Sequence, residues 1–261
     1  MDIAVFEDLL ETTKTQTRKQ RKQSRRQKRE SKNTFAIAQQ PLQLENIKPL
    51  TENQKKVFKE FNSGKHMLLH GCPGSGKSFL ALYLGLREIL TNPNTTYKKI
   101  ILIRSAQSGK DMGFLPGSAK QKMAVYEEPY IGICAKLFGR QDAYHVLKGK
   151  GIIQFESTSF LRGVTFEDAI VIFDEFQNSP IQGATTVLSR VDDNCRVIVC
   201  GDSKQDDLTS ERYKEESCAK TLIKIFSNMS GCSIVQFSVD DIVRSGFVKQ
   251  LLVAMIKLGL A

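Results

Sequence analysis

Gly71, Gly76, Lys77 and Ser78 stand at the spacing G-x-x-x-x-G-K-S inside Met67-Leu-Leu-His-Gly-Cys-Pro-Gly-Ser-Gly-Lys-Ser78. That pattern can hold the phosphates of a nucleoside triphosphate. Glycines at 71, 74 and 76 let successive backbone N–H groups turn inward around phosphate oxygens, and the N-terminus of a following helix adds its positive end. On this reading Gly71, Gly74, Ser75 and Gly76 form the cradle, Lys77 reaches the outer phosphates, and Ser78 holds Mg²⁺. The plainer alternative is a glycine-rich surface turn.

A second group of residues could supply the rest of a hydrolytic site. Ala169-Ile-Val-Ile-Phe-Asp-Glu175 delivers two acids at the end of an apolar run. Asp174 there can accept from Mg²⁺-bound water, while Glu175 can polarise an attacking water. Gln205, after Cys195-Arg-Val-Ile-Val-Cys-Gly-Asp202, has both a donor and an acceptor and so could sense a terminal phosphate while orienting water. An ordinary polar turn explains it equally well. Gln54 offers the donor and acceptor that reading an adenine edge demands, although its position alone favours a surface glutamine. Arg244 is either a surface arginine or one directed at phosphate.

These residues need elements to hold them. Apolar runs at 67–69, 98–104, 151–156, 169–174, 195–202 and 233–237 predict buried strands. Helices are expected from Thr51, as N-cap, towards Asn62, and after the phosphate loop from Phe79. Others are expected over 119–139 with an interruption near Pro129, over 215–226, and over 241–257, with Asp240 to Ser245 opening the last. Strands alternating with helices predict a parallel α/β sheet around one site.

With 261 residues, the chain can hold one sizeable α/β domain, assigned to 46–261, and a tail, residues 1–45. The six cysteines form no C-x-x-C pair, so reduced structural thiols and a cytoplasmic location are expected. No run approaches the ~18 apolar residues that would span a bilayer. Net charge is +10, and ten Lys or Arg against two Glu between Glu11 and Asn33 make that stretch +8. Thr12 to Lys32 has nothing apolar to bury, so the tail should be disordered alone and could turn helical on a polyanion. Three readings of it stand: a nucleic-acid-binding arm, a solvated tail, and contact with an anionic membrane surface. The arm has no interleaved aromatic for base stacking.

Taken together, Gln54, Gly71 to Ser78, Phe114-Leu-Pro-Gly117, Phe160-Leu-Arg-Gly163, Asp174-Glu-Phe-Gln-Asn178, Gly201-Asp-x-x-Gln205 and Asp241-Ile-Val-Arg244 resemble the PhoH-like ATPase family. The resemblance covers residues 48–261. It implies a three-layer P-loop NTPase fold, RecA-like, with a mainly parallel sheet similar to the first motor domain of superfamily one helicases. A compact chain of this kind also looks like versions encoded by bacteriophages. Carried over, Gln54 reads adenine, Lys77 and Ser78 bind phosphate and Mg²⁺, Asp174 is the metal-linked acid, Glu175 the base, Gln205 the sensor, and Arg244 an arginine acting on phosphate within or across subunits. The implied activity is Mg²⁺-dependent ATP hydrolysis coupled to single-stranded RNA or DNA. One such domain cannot make the two-domain cleft of a monomeric helicase, so a homo-oligomer is expected, a hexameric ring being one form, or else a non-translocating enzyme. An ATP-controlled protein-binding adaptor with slow hydrolysis, and a small-molecule kinase, are the alternatives.

Overall fold

Uninterrupted apolar runs suit strands covered on both faces, and six of them pair in the computed structural model, which describes residues 41–105, 119–158, 161, 163, 165–202 and 218–258. They are β1 (His66–Gly71), β2 (Lys99–Arg104), β3 (Ile153–Ser157), β4 (Ala169–Asp174), β5 (Arg196–Gly201) and β6 (Cys232–Phe237). Their order across the sheet is β3-β2-β4-β5-β1-β6, and every pairing is parallel. Every residue of β4 is buried. All elements named here fall within residues 44–261.

Alternating side chains build the layers. Leu68, Ile101, Ile103, Val171, Phe173 and Val199 share one face, closed by Ala184 and Val187 of helix Ile181–Leu188 and by Leu222 and Phe226 of helix Ala219–Ser227. The other face takes the helix Lys77–Thr91 that follows the phosphate loop. Gly85 lets that helix come close: a Cβ there would lie 3.1 Å from Ile100 Cδ1 and 3.6 Å from Ile170 Cγ2. The result is the expected three-layer α/β fold with a wholly parallel sheet, whose carboxyl edge is open for ligands.

Among the described residues the α-helices are, in chain order, α1 (Glu52–Asn62), α2 (Lys77–Thr91), α3 (Ala119–Phe138), α4 (Ala143–Gly149), α5 (Ile181–Leu188), α6 (Ala219–Ser227) and α7 (Gly246–Lys257). Thr51 caps α1 as expected, its side chain accepting from Gln54 N. Two expectations fail for physical reasons. Helix α3 runs through Pro129 without a break. The carbonyl that loses its donor is that of Val125, a residue 60% exposed, so water can take the place of the missing N–H. Meanwhile Tyr130, Cys134 and Leu137 are buried and pin the second half of the helix.

The last helix starts at Gly246, five residues later than expected. Ser238 and Asp241 form a reciprocal capping box that closes a 3₁₀ turn over Val239–Asp241. Ile242 is then extended, and Val243 N donates to Gly74 O at 3.1 Å. The extended backbone at Ile242 and again at Ser245 keeps this stretch out of a helix. Arg244 therefore sits on the non-helical connection ahead of α7.

Gly71 ends β1 at φ 112°, and a Cβ added there would lie 2.2 Å from Phe237 O. Both partners are backbone, so neither can swing aside. We expect Gly71→Ala to lower stability by roughly 3 kcal/mol or more, read as a fall in the urea midpoint.

Candidate functional site

The phosphate loop leaves β1 and enters α2 through Gly74 and Gly76, at φ 76° and 86°. Ser75 is fully buried and its hydroxyl donates to Cys72 O at 2.9 Å, so this residue can offer a ligand only its backbone. Lys77 Nζ donates to Gly71 O at 2.7 Å and to Cys72 O at 2.9 Å, which curls its ammonium back over the loop. Burial lowers the Lys77 pKa, opposed by the negative charge of Asp202, Glu175 and Asp174.

Ser78 Oγ donates to Asp174 Oδ1 at 2.8 Å, bringing the first turn of α2 to the end of β4. The other carboxylate oxygen accepts from Tyr130 on α3 at 2.9 Å. Burial, then the Asp174 charge, push the Tyr130 hydroxyl well above its ordinary pKa, so it remains a donor. Both oxygens of the acid are thereby oriented.

Glu175 follows at φ 54°, a left-handed conformation rare for a residue with a side chain. Its Oε2 accepts from Gln177 Nε2 at 2.6 Å, and Gln177 Oε1 accepts from Asp202 N at 3.0 Å. Burial and the neighbouring Asp174 raise the Glu175 pKa, while Gln177, Arg104 and Lys77 pull it back in part. Arg104 stands opposite Asp174 in the β2–β4 register.

Gln54 is only 3% exposed, which discards the surface reading. Its Oε1 accepts from Leu50 N at 2.8 Å and its Nε2 donates to Ser75 O at 3.0 Å, tying α1 to the phosphate loop. One N–H and one lone pair of the amide remain beyond these two bonds. Arg244 lies in its own chain's loop neighbourhood: its Cγ is 2.9 Å from where a Cβ on Gly74 would stand. One cleft of about 660 Å³ is lined by Gln54, Lys77, Ser78, Asp174, Glu175 and Arg244, with Gly74, Gly76 and Arg104 also on its wall.

The structure thus brings together every site residue expected from the sequence except one. Gln205 lies outside the described residues, as do Phe114 to Gly117, Phe160, Arg162 and the basic run 14–32. Sequence reasoning gave no role to Tyr130, Gln177 or Arg104. For Gln177 a signal existed, since it follows Glu175 by two residues. Tyr130 meets Asp174 only through the tertiary fold, so no local pattern announced it.

The model of the family described as "PhoH-like protein" matches residues 46–256. The chain belongs to that family. A PhoH-like protein of Bacillus subtilis strain 168 is 31% identical over 185 residues, covering 70% of this chain and 56% of the relative. Protein PhoH of Escherichia coli K12 is 29% identical over 203 residues, covering 77% and 56%. This PhoH-like chain spans little more than half the length of those relatives. Among solved structures, a large terminase from a thermophilic bacteriophage, in complex with ADP, aligns at a TM-score of 0.45 and 13% identity, over 79% of this chain and 50% of that one. Among the described residues, no helix is long and apolar enough to cross a membrane.

Asp241 anchors the connection that carries Arg244. Its Oδ2 accepts from Asn53 Nδ2 at 2.7 Å and from Ser238 N at 2.8 Å. Burial alone would raise its pKa, but hydrogen bonds from Thr51, Asn53 and Ser238 outweigh that and hold it below the ordinary value. A depressed carboxylate stabilises the fold above its unfolded pKa, and that contribution is lost as pH falls through the folded pKa. Asp241→Asn should therefore cost about 1–3 kcal/mol near neutral pH, shrinking below about pH 4, in urea titrations run across pH.

Proposed function

We propose that this PhoH-like chain binds ATP with Mg²⁺ and hydrolyses it, and that hydrolysis is coupled to binding or remodelling single-stranded RNA or DNA in a homo-oligomer. The observation that carries this reading is the Ser78–Asp174 contact, which joins the phosphate loop to the β4 acid in a cleft also lined by Lys77 and Glu175.

A hydroxyl and a carboxylate are hard oxygen donors of the kind Mg²⁺ takes, with water and phosphate completing its shell. Among the described residues, no three His, Cys, Asp or Glu stand together as an all-protein metal cage. The donor set therefore fits the ion, which when bound neutralises charge on the phosphates. Loop amides from Gly71 to Ser78 bind phosphate oxygens. Lys77 exchanges its two loop carbonyls for the outer phosphates. Glu175 takes a proton from the attacking water, and its raised pKa makes it the better acceptor. Gln54 meets the adenine edge with its remaining N–H and lone pair, Arg244 faces the phosphates from its own chain, and Gln205 senses the terminal one.

The tail, residues 1–45, is assigned to nucleic-acid capture on its charge, and the cytoplasm is its assigned compartment. Support for an oligomer comes from α7, none of whose residues is buried and which exposes Phe247 at 76% and Leu251 at 48%.

Turnover of ATP tests the core of this reading. Glu175→Gln should lose on the order of 10² to 10⁴ in kcat with nucleotide affinity retained; a variant as fast as the parent would reject Glu175 as base. Single-stranded RNA or DNA should raise turnover at low salt, and deleting residues 1–45 should abolish that stimulation. If 6 to 10 tail charges meet phosphates, affinity should fall roughly 10³ to 10⁵-fold between 50 and 200 mM salt. Turnover near or below about 10⁻² s⁻¹ that ignores nucleic acid would favour the adaptor instead.

A further inference from the structure

The turn after β4 is held by more than its own backbone. Gln177 is 2% exposed and bridges two groups that belong to different strands. Asp202 N, just past β5, can only donate, so the oxygen end of the Gln177 amide must face it. The Glu175 carboxylate can only accept while ionised, so the nitrogen end must face that side. The amide orientation is thus dictated by its partners. No other side chain of this length offers a donor and an acceptor at fixed separation: glutamate cannot donate when ionised, methionine cannot donate and accepts only weakly, and asparagine is one methylene short.

Two further features serve the same bridge. Gly201 leaves the space it occupies, since a Cβ there would lie 2.3 Å from Gln177 Oε1 and 2.6 Å from Phe176 Cδ1. Glu175 itself stands at φ 54°, and the 3₁₀ turn Phe176–Asn178 that follows is closed by Asn178 N donating to Glu175 O at 3.0 Å. A strained turn of this kind persists only where its surroundings over-determine it.

We propose that Gln177 is a positioning residue for hydrolysis, tying the Glu175 carboxylate to the exit of β5 and fixing which of its oxygens meets water. This rests on the reading of Glu175 as the base. The bond engages Oε2, which leaves Oε1 to receive the water proton. Free of the amide, a glutamate side chain with three rotatable bonds would spread over several rotamers in the cleft. The bridge also makes the base sensitive to β5: displacement of Gly201 and Asp202 moves the acceptor end of the amide, and with it the donor end that holds the carboxylate.

A double-mutant cycle tests the proposal. Parent, Gln177→Met, Glu175→Gln and the double variant are compared for ATP turnover and for affinity towards a fluorescent ATP analogue. Gln177→Met should lower kcat about 10 to 10²-fold, the scale of a misplaced catalytic group, with affinity within about threefold of the parent. Added to Glu175→Gln, it should change kcat less than about threefold, because the residue it positions is already gone. In nucleotide-free Gln177→Met, the Asp202 amide should exchange with solvent at least about tenfold faster, since its acceptor is lost.

Gln177→Leu gives a second variant that removes donor and acceptor together in an apolar side chain of similar volume, and it should show the same kcat loss with the same faster exchange. The proposal alone is overturned if Glu175→Gln abolishes turnover while both Gln177 variants keep it, or if the Gln177→Met loss multiplies in full on the Glu175→Gln background. Loss of affinity equal to the loss of kcat also overturns it, as general loosening of the site. A parent protein that does not hydrolyse ATP overturns this proposal together with the reading beneath it.

Discussion

The Ser78–Asp174 hydrogen bond depends on a strand order that the local sequence does not state. In the sheet β4 and β1 are separated by β5, so the loop after β1 and the acid on β4 can meet only if α2 starts across the end of β5. That geometry needs the loop to turn sharply at Gly74 and Gly76 and α2 to lie close against the sheet, which Gly85 permits. The same arrangement makes the β5 exit the common neighbour of Lys77, Asp174 and Glu175 in the cleft.

Those charges sit in poor company with water. Lys77 is largely enclosed, Asp174 is buried, and Glu175 is buried enough that its pKa rises. The cluster tolerates this because both acids and the ammonium have assigned polar partners: Ser78 and Tyr130 for Asp174, Gln177 for Glu175, the Gly71 and Cys72 carbonyls for Lys77. Buried polar groups that are satisfied rigidify a site, whereas partly satisfied ones destabilise it. On the reading proposed above, a nucleotide entering the cleft would replace the Lys77 contacts, whose carbonyl acceptors lie in the glycine-rich loop itself. A ligand therefore exchanges bonds rather than creating them all anew.

Much of the fold was legible because burial on both faces forces a compositional signature. Ile100 to Ile103, Ala169 to Phe173 and Val197 to Cys200 could be little else than central strands. The glycine spacing from 71 to 76 marked the loop for the same kind of reason: only glycine fits those backbone angles cheaply. What escaped local reading came from tertiary contacts. Pro129 argued for a break in α3, but the buried residues beyond it keep the helix whole. Asp241 to Arg244 read as a helix start, yet the Val243 amide is taken by Gly74, a partner 169 positions earlier. From its position alone Gln54 read as a surface residue, because nothing near it in sequence reveals that the loop at Ser75 passes overhead; only the family resemblance pointed inward. In each case a distant group decided the outcome, and no window of neighbouring residues contains it.

The tie between Val243 and Gly74 has a mechanical consequence. Only Arg244 and Ser245 separate that bond from the first turn of α7 at Gly246, a tether of roughly 10 Å when fully extended. A helix on so short a leash cannot be displaced far without tugging on the phosphate loop or tearing the bond. Because α7 presents bulky apolar side chains outward, whatever grips it from outside pulls on a line whose other end is the turn at Gly74. The chain thus has the makings of a transmission, in which load on one exposed helix is registered at the glycine-rich loop between β1 and α2.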